Sequence, residues 1–262
     1  MATIITGTPG VSKDTTQTFN PSAWRVGTVT QVLPEAFGLR SYTFAFDSPV
    51  THDAGQHYEI RLTAEDGYQA ARLYSAAMPA NGSSNMLQLT IALMPNGEVS
   101  SYIFNNLKPG GRVEIRGPLG RYFIWTPKPK NPVLLVGGGT GVIPLRCMRL
   151  AHQYAASLVP MKLLYSVRTY YDMPYKYELF PPASEPPENV MITFTENAPP
   201  GWQGYARRVD SEMIHEVLAS YSEKPRAYVC GPTPFVEAVT QLLVKAGLDP
   251  ATVSAERFGS TS

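Results

Sequence analysis

The sequence predicts a two-domain protein, in which an antiparallel β-barrel is followed by an α/β domain with a doubly wound parallel sheet. Three observations predict this fold. Short strands crowd the first half, buried strands alternate with helices in the second, and a Pro-rich segment at 126–132 separates the two. We expect the barrel domain at residues 22–127 and the α/β domain at residues 131–262.

Residues 1–21 precede the first predicted strand and are expected to form a flexible tail, because they are rich in Thr, Gly, Ser and Pro. They contain no basic segment followed by an apolar stretch, so we do not expect a signal peptide. No apolar run in the chain approaches the roughly 20 residues that a membrane helix needs. The sequence therefore predicts a soluble protein without a membrane segment, with the cytoplasm as its default compartment.

Charge and cysteine content exclude several kinds of ligand. Lys and Arg number 22 against 21 Asp and Glu, and no basic tract indicates binding to nucleic acid or to an anionic membrane. The two cysteines, Cys147 and Cys230, form neither a disulfide framework nor a zinc site, and no metal is expected. An iron–sulfur cluster takes about four Cys ligands, so a one-electron acceptor would lie on another molecule.

Five segments of the first half carry the β-branched and aromatic residues typical of strands, and turn residues such as Glu65-Asp66-Gly67 separate them. One helix is predicted within the barrel, at 100–107. The predicted strands are 25–32, 42–46, 59–62, 87–91 and 112–116.

The second half opens on Val133-Leu134-Leu135-Val136, an unbroken apolar run of the kind found in strands that are buried on both faces. Further strands then alternate with helices, which is typical of a parallel doubly wound sheet. These strands are predicted at 162–166, 190–194 and 227–230, and the helices at 144–156 and 234–246.

The strongest motif follows the first of these strands, where the chain reads Gly137-Gly138-Gly139-Thr140-Gly141 before a helix. Glycines let the backbone approach a ligand closely, and free N–H groups at a helix start favour an anion. A tight turn without a ligand is the simpler interpretation, but four glycines exceed what a turn needs. We expect pyrophosphate binding, at a spacing that is neither the Rossmann fingerprint nor a P-loop.

Arg72-Leu73-Tyr74-Ser75 is a weaker motif. Strand alternation places Arg72 and Tyr74 on one face, where the guanidinium could bind a phosphate while the ring stacks on a flat heterocycle. Without further context, a surface Arg beside a half-buried Tyr explains the same residues.

Two more motifs stand at predicted helix starts. Gly97-Glu98-Val99-Ser100-Ser101 offers N–H groups and hydroxyls to an anion, although helix capping by Ser100 also explains it. Cys230-Gly231-Pro232 ends a buried strand, with Thr233 as the cap of the next helix and Pro234 at its first position. Cys230 thus lies at the carboxyl edge of the sheet, where ligands bind, or is simply a small buried residue.

In this order, the four motifs resemble those of the ferredoxin–NADP reductase superfamily. More narrowly, they are similar to stand-alone FAD-binding oxidoreductases related to oxygenase reductases, without an iron–sulfur domain. The resemblance implies that the barrel binds FAD, with Arg72 on its pyrophosphate, Tyr74 stacked on the isoalloxazine and Ser75 near flavin N5. Leu73 belongs to the same motif, and Gly97, Val99 and Ser100 would complete the pyrophosphate site.

The same resemblance implies further contacts. Gly55-Gln56-His57 resembles the segment before the strand beneath the flavin, with Ala54 where the family has Pro. Phe258 would cover the other flavin face, or would only anchor the C-terminus. For the nicotinamide cofactor, Gly138, Gly139, Thr140 and Gly141 would hold the pyrophosphate, while Cys230, Gly231 and Pro232 would border the nicotinamide ring.

The resemblance favours NADPH over NADH. Ser166 and Arg168 follow the second strand of the sheet, where NADPH-using relatives often have Ser or Arg for the 2′-phosphate. The segment Tyr205-Ala206-Arg207-Arg208, which supplies Arg207, resembles a second basic contact of those enzymes. No acidic residue lies at 165–169 to hold a ribose diol instead. Some NADH-using relatives also carry an Arg there, so NADH stays open as the alternative.

The function that the resemblance implies is an NAD(P)H-dependent reductase, which passes electrons through FAD to a separate acceptor such as a ferredoxin, a haem protein or an oxygenase component. Ser75, Cys230 and Phe258 would contact the reacting rings. The alternatives are a flavin reductase that uses flavin as a substrate, a non-catalytic flavin-binding subunit of a larger complex, and FMN in place of FAD.

Overall fold

The computed structural model describes residues 22–80, 82–181 and 185–259. The tail predicted at 1–21 lies outside the described residues. Within the described ranges, no helix is both long and apolar enough to cross a membrane.

Six antiparallel strands form the first sheet, in the order β4-β3-β6-β1-β2-β5. A bridge between Ala76 and Leu89, with a 3.0 Å bond from the Ala76 N–H to the Gln56 carbonyl beside it, connects the end of β4 to β5 and so brings the two edges of the sheet together. The predicted antiparallel barrel is confirmed. Its strands are β1 (Arg25–Ala36), β2 (Leu39–Ala45), β3 (His57–Thr63), β4 (Gln69–Ser75), β5 (Met86–Ala92) and β6 (Arg112–Leu119).

Helix α1 (Glu98–Asn106) follows β5 and buries Val99, Ile103 and Phe104 in the hydrophobic core. The predicted capping by Ser100 is wrong, because Gly97 is the N-cap residue and no side chain caps the helix. The Ser100 hydroxyl lies inside the first turn, where it accepts a bond from the Met94 N–H (3.1 Å) and donates to the Gly97 carbonyl (3.2 Å).

Five parallel strands form the second sheet, in the order β11-β10-β7-β8-β9, with helices between them. This confirms the predicted doubly wound α/β architecture. The strands are β7 (Val133–Gly138), β8 (Met161–Thr169), β9 (Val190–Asn197), β10 (Arg226–Pro232) and β11 (Val253–Phe258), and the helices are α2 (Val142–Tyr154), α3 (Lys176–Leu179), α4 (Ser211–Ala219) and α5 (Thr233–Lys245).

Three elements of this second half were not predicted: the helices α3 and α4 and the edge strand β11. The start of α5 also differs by one residue from the prediction. Pro232 takes the N-cap position and Thr233 is already helical, so Pro234 occupies the second rather than the first helical position. Proline fits either place because the N–H groups of the first turn have no partner within the helix.

The two sheets pack against each other through one continuous hydrophobic cluster. Hydrogen bonds cross the same junction: the Tyr228 hydroxyl donates to the Ile124 carbonyl (2.9 Å), and the Arg146 guanidinium donates to the Ala77 carbonyl (2.9 Å). The junction therefore holds the end of β4 at a fixed place relative to α2 and β10. The domain limits near 127 and 131 stay a prediction.

Candidate functional site

A cleft of about 950 Å³ lies between the two sheets. One wall comes from the carboxyl ends of β7, β8 and β10, which is where ligands bind in doubly wound sheets. The other wall comes from the β1–β2 hairpin and the segment that joins β5 to α1. Residues that line the cleft include Phe37, Leu93, Pro95, Gly138, Gly139, Thr140, Ser166, Arg168, Asp172, Arg208, Pro232 and Phe235.

The glycine loop after β7 needs its glycines for two different reasons. A Cβ atom on Gly141 would lie 2.1 Å from the Cys230 carbonyl oxygen, so Gly141 lets the loop touch β10. Gly139 has a φ of +54° and open space around its Cβ position, and it faces the cleft. Packing thus explains Gly141, whereas Gly139 leaves backbone free for a ligand.

Gly231 completes this contact from the side of β10. Its φ is +157°, and a Cβ there would lie 3.0 Å from the Gly138 carbonyl oxygen and 2.9 Å from Phe235. The predicted phosphate loop and the predicted nicotinamide segment are therefore in direct contact, as their shared sheet edge requires.

The end of β4 carries the predicted flavin residues. Tyr74 is half-buried against the barrel core, and burial raises the pKa of its hydroxyl to about 12. Arg72 is exposed, and its guanidinium donates to the Ala71 carbonyl (2.6 Å). Leu73 is exposed on the opposite face. Ser75 is buried, and its hydroxyl has no hydrogen-bond partner among the described residues.

Residues at the start of α1 are placed for backbone contacts only. Val99 is buried in the barrel core, and the Ser100 hydroxyl is already bonded within the turn. A Cβ on Gly97 would lie 2.5 Å from the Ser100 Oγ, so the turn is too tight for any side chain there. What this segment can offer an anion is the set of N–H groups in the first turn of the helix.

Three side chains from both sheets meet beside Ser75. His57 is paired with Ser75 across β3 and β4, and Glu256 is paired with Cys230 across β10 and β11. The His57 Nδ1 lies 3.5 Å from the Glu256 Oε1, which joins the two pairs. The other oxygen, Glu256 Oε2, is buried without a partner in the described part of the chain.

Cys230 is fully buried, and burial, followed by the negative charge of Glu256, raises the pKa of its thiol well above the usual value. It is therefore a neutral thiol rather than a thiolate nucleophile. Glu256 was not predicted as a site residue. No local sequence motif marks Glu256, because the contact that places it in the site is with His57, about 200 residues earlier in the sequence.

Gln56 and Phe258 complete the surroundings. The Gln56 side chain accepts from the Asp53 N–H (2.9 Å) and donates to the Gly120 carbonyl (2.8 Å), so it fastens two loops beside His57. Phe258 is partly buried against the cluster that joins the two sheets, at the register position opposite Pro232. The structure thus brings Phe258 to the same sheet edge as Cys230.

The predicted basic residues differ in how free they are. Arg168 lines the cleft but forms an ion pair with Asp172 (3.1 Å). Arg207 does not line the cleft and forms ion pairs with Asp210 and Glu212. Arg208, which belongs to the same predicted basic segment as Arg207, lines the cleft, and no described residue forms an ion pair with it. Ser166 is buried in the same wall.

Known proteins match both halves of the chain. An oxidoreductase FAD-binding domain family model matches residues 31–124, and an oxidoreductase NAD-binding domain family model matches residues 135–241. NADH-cytochrome b5 reductase 1 of Lodderomyces elongisporus is 31% identical over 217 residues, which cover 82% of this chain and 70% of the relative. The chain belongs to the ferredoxin–NADP reductase superfamily.

Other members of the superfamily resemble this reductase over most of its length. The glycine betaine monooxygenase reductase subunit of Chromohalobacter salexigens is 28% identical over 252 residues, which cover 94% of this chain and 67% of the relative. The crystal structure of a cytochrome P450 reductase from Amycolatopsis has a TM-score of 0.74 and 26% identity, and covers 92% of this chain and 71% of that one. The protein is an NAD(P)H-dependent flavoprotein oxidoreductase, and its cofactors are FAD and a pyridine nucleotide.

The site residues fit these cofactors on an observation of their own. Ser75 Oγ and Glu256 Oε2 are buried polar atoms without partners among the residues described, and they lie where the flavin strand meets the end of β10. A buried polar atom without a partner costs about 1–3 kcal/mol, so such atoms are kept where a ligand supplies the partner.

Proposed function

We propose that this reductase takes hydride from NADPH, and less effectively from NADH, and passes the electrons through FAD to an oxygenase component. A ferredoxin or a haem protein is the alternative acceptor. The observation that carries the proposal is the meeting of Ser75, Cys230, His57 and Glu256 beside an aromatic strand residue, Tyr74, where the barrel meets the end of β10. The two domains of the proposal are residues 22–127 and 131–262.

On the flavin side, Arg72 neutralises the pyrophosphate, helped by the N–H groups that follow Gly97. Tyr74 stacks on the isoalloxazine ring, and its raised pKa keeps the hydroxyl neutral there. Ser75 donates its unpartnered hydroxyl to the ring. Gln56 supports this site indirectly, because its amide holds the loop at Gly120 beside His57.

On the nicotinamide side, Gly138 to Gly141 hold the pyrophosphate and Cys230 packs against the ring. Gly231 and Pro232 leave room for that ring, and Phe258 steps aside to admit it. The bound cofactors supply the redox chemistry, a hydride from the nicotinamide and its acceptance by the flavin. The neutral thiol of Cys230 orients the ring through contact, since a buried thiol with a raised pKa carries no charge.

His57 and Glu256 form the polar edge of the same place. Both side chains are one-fifth exposed, so the pair is in contact with solvent. The pair can hold a proton near the reacting rings and return it to water after electron transfer.

Preference for NADPH rests on Ser166 and Arg208, with Arg168 as a further contact. Arg208 is the cation that enters the cleft without a carboxylate partner in the described chain, and a 2′-phosphate would supply one. Arg168 must share its guanidinium with Asp172. Arg207 lies outside the cleft and is paired with Asp210 and Glu212, so it makes no contact of its own with the nucleotide.

The choice of an oxygenase component follows relatives whose names state the role of a monooxygenase reductase subunit. The name of the Lodderomyces relative states cytochrome b5 instead, which keeps the haem protein as the alternative. We place the reaction in the cytoplasm, a reducing compartment that suits two free buried cysteines.

Anaerobic reduction of the purified protein tests the proposal. Flavin absorbance is followed after mixing with NADPH or NADH in parallel, and fast bleaching of bound flavin with NADPH ahead of NADH is expected. A yellow protein that neither nucleotide reduces would indicate a non-catalytic flavin-binding subunit. A colourless protein that oxidises NADPH only with added flavin would indicate a flavin reductase, and FMN recovered from the protein would replace FAD.

A further inference from the structure

The turn between β1 and β2 carries an unusual residue. Ala36 is paired with Leu39, so Phe37 and Gly38 form a two-residue turn. Such turns favour Asn, Asp and Gly, which are small and polar or tolerate a positive φ. Gly38 meets this requirement with a φ of +66°, but Phe37 is 98% exposed and contributes nothing to the barrel core.

The same turn forms a wall of the cleft. The Leu93 N–H donates to the Gly38 carbonyl (2.8 Å), which ties the tip of the hairpin to the segment after β5. Phe37 and Leu93 line the cleft, and Leu93 is also well exposed. The barrel thus presents an apolar edge to a cleft whose other wall carries Gly139, Ser166 and Arg208.

The two walls are complementary to a ligand with two chemical parts. The glycine loop and Arg208 favour a phosphate, while an exposed aromatic ring gains stability by stacking on a flat ring. An adenylate joins both parts, since its phosphate and its purine are connected by one ribose. We propose that Phe37 stacks on the adenine ring of a dinucleotide that occupies the cleft.

Two dinucleotides of this reductase carry an adenylate, NAD(P)H and FAD. Ser166 and Arg208 belong to the nicotinamide-nucleotide wall, whereas Pro95 lies two residues before Gly97 at the flavin helix. The chemistry on Phe37 is the same for either source. The inference rests on the proposed function, which assigns the residues of this part of the protein to NAD(P)H and FAD.

The test compares Phe37→Ala and Phe37→Trp with the wild type. Leu158→Ala is the matched control, because Leu158 is also 98% exposed but does not line the cleft. Anaerobic flavin reduction is measured with NADPH, NADH and reduced nicotinamide mononucleotide, which lacks the adenylate. Retention of FAD and of FMN is measured on the same variants by titration of flavin fluorescence.

If the adenine of NAD(P)H stacks on Phe37, Phe37→Ala weakens the apparent affinity for NADPH and NADH by about tenfold and leaves the mononucleotide unaffected. If the adenine of FAD stacks there, the variant instead weakens FAD by about tenfold and leaves FMN unaffected. Phe37→Trp restores binding in both cases, and Leu158→Ala matches the wild type.

Unchanged affinities for all five ligands would overturn the proposal, and so would equal losses for ligands with and without an adenylate. Neither result resembles failure of the proposed function, in which the wild-type flavin itself is not reduced by either nucleotide. The two failures are therefore distinguishable in the same experiment.

Discussion

The carboxylate of Glu256 lies 3.5 Å from the imidazole of His57, and this contact joins the last strand of the parallel sheet to the third strand of the barrel. One oxygen of the carboxylate faces His57, while the other is buried without a protein partner in the described residues. The pair is thus poised at the place where the two cofactors would meet.

We expect Glu256→Gln to slow flavin reduction by about a hundredfold, the lower end of the usual range for a group that assists proton movement. The amide keeps the shape of the carboxylate but removes its charge, so the apparent affinity for NADPH should change little. Rapid-mixing absorbance under anaerobic conditions measures both quantities. Glu237→Gln, on the exposed face of α5, should behave like the wild type. An equal effect of both substitutions would dismiss a role for Glu256.

Cys230→Ser should slow flavin reduction more than it weakens nucleotide binding, because the proposed role of the thiol is to align the ring. We expect a loss of about tenfold in rate with less than about threefold in affinity, since misplacement by a fraction of an ångström affects the transition state most. Cys147→Ser is the matched control, as Cys147 is also buried and free but belongs to α2. An unchanged reduction rate in Cys230→Ser would count against the role.

Arg208→Ala should lower kcat/KM for NADPH by about tenfold and leave NADH nearly unaffected, because one charge-assisted bond to a phosphate contributes about 1.5–3 kcal/mol. Arg168→Ala should shift the preference in the same direction by a smaller factor, since Asp172 already engages that side chain. Arg207→Ala is the neighbouring control and should leave the ratio unchanged. A preference for NADPH that survives both Arg208→Ala and Arg168→Ala would remove the phosphate site from this wall.

Gly141→Ala should be far more harmful than Gly139→Ala. A Cβ on Gly141 would lie 2.1 Å from a backbone oxygen, which must move, and overpacking of this kind costs about 1–3 kcal/mol or more. A Cβ on Gly139 meets open space, so the cost there is the left-handed φ alone, about 1–2 kcal/mol. Urea unfolding measures both variants. Equal destabilisation would mean that the loop does not rest against β10.

Stability should fall at alkaline pH because of the buried thiols. Burial raises the pKa of Cys147 from 9.0 to about 12, and that of Cys230 is raised as well. A raised pKa in the folded state stabilises the protein fully below pH 9, and the stabilisation is lost at about 1.4 kcal/mol per pH unit for each thiol as the pH rises toward 12.

Urea unfolding at pH 8 and at pH 10 measures this loss. Cys147→Ala should reduce the difference between the two values by about 1.4 kcal/mol, the share of one thiol over the pH unit above 9. If the substituted protein loses as much stability as the wild type, Cys147 is not the titrating group. Cys230 and the buried tyrosines contribute the rest of the difference, because burial raises the pKa of these groups in the folded protein and the unfolded pKa of tyrosine is near 10.

The sequence predicted the fold well because the fold depends on local patterns. Alternating apolar residues at 25–32 and 87–91 and the unbroken run at 133–136 each determine a strand without reference to distant residues. Helix α4 was missed although its signal was present, since the Asp210 side chain caps it by accepting from the Met213 N–H. Strand β11 was missed because its pattern is short and only its pairing with β10 defines it.

The site was predicted less completely, because its arrangement depends on contacts between distant segments. Glu256 becomes a site residue through its contact with His57, and no sequence spacing relates these two residues. Arg207 and Arg208 are adjacent in the sequence, and only the fold shows that Asp210 engages the first while the second enters the cleft. Phe37 likewise shows no functional signal in the sequence, and only the fold places its hairpin beside the cleft.

The bonds from Tyr228 to Ile124 and from Arg146 to Ala77 make the two sheets mechanically continuous. A hinge that opened the cleft would have to break these bonds and expose the apolar cluster beneath them, at a cost comparable with unfolding. Turnover is therefore expected to proceed without a large domain movement. Small displacements of Phe258 near the C-terminus would then limit the rate of cofactor exchange.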